Sequence, residues 1–72
     1  MQFEKLVEMM KGRKDLFYCL EERLLGYKDF IVSEEINGLD VVEDYKGGQN
    51  LFEAVSAEEA YTIITKSSPN KK

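Results

Sequence analysis

Apolar side chains near the start of the chain recur at spacings of three and four: Phe3, Leu6, Val7 and Met10. That period sets them on one face of a helix. The stripe continues through Phe17, Leu20 and Leu24, with Leu16 beside it, and is interrupted at Gly12-Arg13-Lys14-Asp15. Asp15 suits the N-cap of a following helix, because its carboxylate can accept a free backbone N–H there. Residues 3–25 therefore predict either one helix kinked near Gly12 or two helices with a break, the break being preferred. Gly26 supplies the C-terminal stop.

From Phe30 the period changes. Phe30-Ile31-Val32 and Leu39-Asp40-Val41-Val42 are rich in β-branched residues and flank Asn37-Gly38. Asn-Gly is a strong hairpin signal, because a type I′ turn needs positive φ at both central positions. With that turn, Ile36 faces Leu39. Phe30, Val32, Ile36, Leu39, Val41 and Tyr45 then share one face, and Asp29, Ser33, Glu35, Asp40, Asp44 and Lys46 share the other with Ile31 and Val42. Glu34 and Glu43 fall on the apolar face as diagonal neighbours, a departure that a bulge or a place at the sheet margin would explain.

Lys46-Gly47-Gly48-Gln49-Asn50 reads as a loop and Leu51–Val55 as a third strand. Ser56 and Glu59 have capping-box spacing, each side chain satisfying a backbone N–H at a helix start. Ala57, Ala60, Tyr61 and Ile64, with Ile63 adjacent, make the buried stripe of that helix. The expected fold is α+β: an N-terminal helix or helix pair, a three-stranded antiparallel meander, and a C-terminal helix packed on the sheet. One domain is expected over residues 1–66, with 67–72 a polar tail that frays.

Composition narrows the rest. A chain of 72 residues has one cysteine and no histidine, so an internal disulfide is impossible and a structural zinc site has too few ligands. Folding at this length hides only about 60% of the unfolded surface, which makes self-association as a homodimer one route to stability. The net charge of −4 is unevenly laid out. Residues 1–28 hold six basic and five acidic groups, whereas residues 29–59 hold nine acidic groups and only Lys46. Such an acidic middle repels phosphate backbones, so nucleic acid is disfavoured as a partner. Glu4, Lys5 and Glu8 interrupt the stretch where a secretory signal would need an apolar run. No apolar run approaches the ~18 residues of a membrane span. The lone thiol fits a reducing cytoplasm.

Little catalytic chemistry is visible. Cys19, beside Leu16, Phe17 and Leu20 in the expected helix, reads as a small buried apolar group. Gly47-Gly48 lacks the spacing and the Lys-Ser/Thr of a phosphate loop, and no cofactor is expected. Glu34, Glu35, Asp40, Glu43 and Asp44 form the candidate interaction surface. Their spacing does not match a calcium loop, and alternation spreads them over both faces of the ribbon. The expected function is a protein-interaction or regulatory module acting through this acidic sheet surface or an edge strand, alone or as a homodimer. One alternative is a cation-binding or carboxylate-based enzyme, with Glu34 or Glu43 an acid of raised pKa. The other is a nucleic-acid binder using the basic turn at residues 11–14. A second helix there would carry Asp15, Glu21 and Glu22 against Arg23 alone, which counts against DNA.

Overall fold

The structure, a computed structural model, describes residues 2–66; the tail expected at 67–72 lies outside the described residues. The chain runs α1 (Gln2–Met10), β1 (Leu16–Cys19), β2 (Leu24–Tyr27), β3 (Phe30–Glu35), β4 (Gly38–Tyr45), β5 (Gly48–Val55) and α2 (Ala57–Lys66). The five strands form one antiparallel sheet in sequence order. The fold is thus α+β with a helix at each end, and its meander has five strands rather than three.

The two additional strands replace the second half of the expected N-terminal helix. α1 buries the predicted stripe Phe3, Leu6, Val7 and Met10 and stops at Gly12, whose φ is +88°. Asp15 is no N-cap: it has φ +66° in the turn leading into β1. Leu16-Phe17-Tyr18-Cys19 and Leu24-Leu25-Gly26-Tyr27 then pair as a hairpin. Both strands are apolar on both faces, so alternation cannot announce them, and a short apolar run has no period of its own. Gly26 is not a helix stop but a strand residue beneath the Phe17 ring, where a Cβ would lie 2.5 Å from the ring edge.

The β3–β4 hairpin keeps the predicted faces but slips in register. Glu35 pairs with Gly38, so Ile36 and Asn37 form the turn. Neither has positive φ; Gly38 does, at +147°. This fits a type I turn, which needs no positive φ at its centre and favours glycine in its fourth position. Ile36, expected on the core face, is 99% exposed at the turn tip, and Tyr45 is also exposed. The slip shifts the sum of paired positions by two, an even number, so Phe30, Val32, Leu39 and Val41 stay inward and are buried. At the other end of β4, Tyr45 pairs with Gly48 across a two-residue turn, so most of the expected loop 46–50 belongs to β5.

β5 carries a bulge. Val41 pairs with Phe52 and Leu39 with Val55, leaving Glu53 and Ala54 opposite Asp40 alone. Ala54 has φ +55°. Its N–H donates to Asp40 Oδ1 at 3.1 Å, so the bulge is held by a carboxylate on the neighbouring strand.

Both helices pack on one face of the sheet. Phe3, Leu6, Val7 and Met10 of α1 meet Ala57, Ala60 and Ile64 of α2 and Leu25, Tyr27, Phe30, Val32, Leu39 and Val41 of the sheet in one core. Each large member contributes about 1.5–3 kcal/mol by leaving water. The capping box at the start of α2 forms as expected: Ser56 N–H donates to Glu59 Oε1 at 2.9 Å, and Glu59 N–H to Ser56 Oγ at 3.1 Å. Gln2 Oε1 accepts the Ala57 N–H at 2.7 Å, joining the two helix starts.

Candidate interaction surface

One face of the sheet lies under the helices; among the described residues the other is open. Antiparallel pairing determines which side chains the open face presents. A single cross-strand row spans all five strands: Phe17 beside Gly26, then Ile31, Val42 and Leu51. Phe17 is 67%, Leu51 56% and Ile31 47% exposed. Its aromatic ring lies over Gly26, so the row is continuous from β1 to β5. The next row holds Cys19, Leu24, Ser33 and Asp40. Scattered exposed apolar residues are ordinary, whereas these lie along one cross-strand row.

The five carboxylates singled out in the sequence separate between the two faces. Glu35, Asp40 and Asp44 are on the open face, at its margins: Ser33 Oγ–H donates to Glu35 Oε2 at 3.3 Å, Asp40 holds the bulge, and Gln49 Nε2 donates to Asp44 Oδ1 at 3.4 Å. Glu34 and Glu43 are on the helix-covered side. They are not diagonal neighbours, since Glu34 pairs with Leu39 and Glu43 with Phe30. Four residues of strand separate them, about 13 Å. Asn50 Nδ2 donates to Glu43 Oε1 at 3.2 Å. Glu34 lies half-buried, its Oε1 shielded from water without a hydrogen bond and 3.6 Å from Arg23 Nε. Arg23 also donates to Glu4 Oε2 at 2.6 Å, a contact that holds the Glu4 carboxyl below its ordinary pKa.

Strand positions on the open face (17, 19, 24, 26, 31, 33, 35, 40, 42, 44, 49, 51 and, at the bulge, 53) include four acids and no lysine or arginine. The surface is therefore an apolar strip with acidic margins. Among the described residues, no group of three or more His, Cys, Asp or Glu side chains is arranged to hold a metal ion, which leaves the cation-binding alternative without a ligand set there. Cys19 is not buried in a helix but exposed on this face.

The basic turn does not gather into a patch. Lys11 Nζ pairs with Glu8 at 3.2 Å. Arg13 donates to Tyr27 Oη at 3.3 Å and Tyr61 Oη at 3.0 Å, with its guanidinium 5.5 Å from the Tyr61 ring centre. These contacts raise the Arg13 pKa above its ordinary value, through the Tyr61 hydrogen bond first and the Tyr27 bond second. Arg13 is thus a clamp that ties the α1–β1 connection to β2 and α2.

The residues missed in the sequence are the strip itself. The sequence pattern puts Ile31 and Val42 on the outward face, and that placement is the available signal. Phe17 falls in the expected helix, and Leu51 in an expected strand whose sequence does not distinguish its two faces. No helix among the described residues is long and apolar enough to cross a membrane. Compared with protein-family models, curated proteins and solved structures, the chain matches none.

Proposed function

We propose that this chain is a protein-interaction module that binds through the open face of its sheet. The strip Phe17–Ile31–Val42–Leu51 meets an apolar ridge on the partner, and Glu35, Asp40 and Asp44 meet basic groups on either side of that ridge. The observation that carries the reading is a cross-strand row in which Phe17, covering the buried Gly26, Ile31 and Leu51 are exposed and Val42 half-exposed, on a face with no strand-borne cation. Apolar burial would supply most of the affinity, while the acidic margins would set orientation and on-rate. A second copy is a poor occupant of this face, because its own acids, Glu53 among them, would be brought against these. The exposed thiol of Cys19 beside the strip suits a reducing cytoplasm.

The test compares wild-type protein with an Ile31→Lys/Leu51→Lys variant as immobilised bait in a lysate of the source cells, at low and moderate salt. Both substituted side chains are exposed, so the variant should keep its melting temperature to within a few degrees. A partner captured by the wild type, weakened by salt and absent from the variant supports the proposal. Capture of the same proteins by both baits, or by neither, sinks it.

A further inference from the structure

The helix layer does not cover the sheet completely. Between α2 and β5 lie two adjoining hollows of about 380 and 370 Å³. Phe30, Phe52 and Val55 line them from the sheet, and Thr62 and Ile63 border both. Two further acids line them, each already engaged within the chain: Glu43 by Asn50 and Glu58 by Lys5. Along α2 the bordering stripe is Glu59, Thr62, Ile63 and Lys66, at positions i, i+3, i+4 and i+7 of one helix face. The stripe has an acid at one end, a base at the other and its midpoint between Thr62 and Ile63.

A stripe of that form is complementary to itself in reverse. We propose that the groove between α2 and β5 is occupied by a second copy of this chain, with the two α2 helices antiparallel about a two-fold axis at Thr62 and Ile63. Each Lys66 then meets the partner's Glu59, Ile63 packs near its counterpart, and the helix dipoles run in opposite directions. Helix packing rather than strand pairing carries the contact. Glu53 and Ala54 lie between Phe52 and Val55, the two β5 residues that border the hollows, and their bulge breaks the regular ladder that edge-to-edge pairing would need. The open faces of the two copies remain free, so this contact is independent of the surface proposed above for partner proteins.

Sedimentation equilibrium of the full chain tests it, from about 10 µM to about 1 mM, a range suited to a contact of small area. The wild type should show twice the chain mass at the upper end. Thr62→Arg, at an exposed position on the proposed axis, should stay monomeric throughout. Lys66→Glu should weaken the dimer about tenfold by setting two like-charged pairs across the axis. Adding Glu59→Gln to Lys66→Glu should recover part of that loss while preserving the capping box, in which glutamine serves as well as glutamate. Ile31→Lys, on the open face, should dimerise as the wild type does. A monomeric wild type at about 1 mM, undiminished dimer in Thr62→Arg, or loss of the dimer in Ile31→Lys would each overturn the assignment.

Discussion

At the residue scale, several backbone positions are held against their own preference. Asp15, Arg23, Lys28 and Ala54 all have positive φ, a conformation that costs an L-residue roughly 1–2 kcal/mol. At Ala54 the compensation is visible. Asp40 accepts its N–H, and the chain passes so close to β4 that a Cβ on Gly38 would lie 3.0 Å from the Ala54 carbonyl carbon and the Val55 oxygen. Gly38 is thus required twice, by its own φ and by the bulge beside it. Gly38→Ala should lower the unfolding free energy by about 1–3 kcal/mol, because neither backbone segment can move aside cheaply. Ala54→Gly should do the opposite, raising it by about 0.5 kcal/mol. Relief of the left-handed conformation slightly exceeds the added freedom of glycine in the unfolded chain. Urea unfolding of the two variants checks both signs, and a destabilised Ala54→Gly would mean that the strain is not stored there.

At the element scale, the β3–β4 turn decides which side chains the hairpin commits to the core. With Ile36 at the turn tip, Ile36→Ala should change stability by no more than about 0.5 kcal/mol. A turn centred on Asn37-Gly38 would place Ile36 over the core face and make the same change cost about 2–5 kcal/mol. A thermal or urea comparison with wild type separates the two registers. The elements legible in the sequence were those where period and punctuation agreed. α1 had a clean stripe ending at a glycine, α2 had its capping box, and β3 and β4 alternated around Asn-Gly. The β1–β2 hairpin was illegible for a physical reason. Its connection, Leu20-Glu21-Glu22-Arg23, is made of good helix formers, and the left-handed residue in it is Arg23 rather than glycine. Tertiary contacts instead support that turn, with Arg23 bound to Glu4 and close to Glu34. The candidate surface was half legible for a related reason. Glu35, Asp40 and Asp44 were found by charge alone, but the apolar strip between them needs Phe17 and Leu51, which only the five-strand pairing brings into line.

At the scale of the whole molecule, ion pairs connect segments far apart in sequence. Glu4 on α1 is bound by Arg23 from the β1–β2 connection, and Glu58 on α2 by Lys5 on α1. Hydrogen bonding to these cations is the main cause of a lowered pKa in both carboxyls. A depressed carboxyl pKa stabilises the fold above the unfolded value, here the ordinary 4.5, and that stabilisation is lost as pH falls through the lower folded value. Arg13 and Arg23 shift upward from an already high value, so their protonation does not change in this range. A second effect has the opposite sign. Acid also neutralises the carboxylates of residues 29–59 and relieves their mutual repulsion, which is spread over a large surface and screened by salt. The paired carboxyls should win at the acid end, because each loses a specific contact between elements. The melting temperature should therefore stay nearly level from pH 8 to 5 and fall below about pH 4.5. A Glu4→Gln/Glu58→Gln variant should be less stable than wild type at pH 7 and converge on it in acid. A constant difference between the two proteins across the whole pH range would show that these pairs do not supply the acid sensitivity.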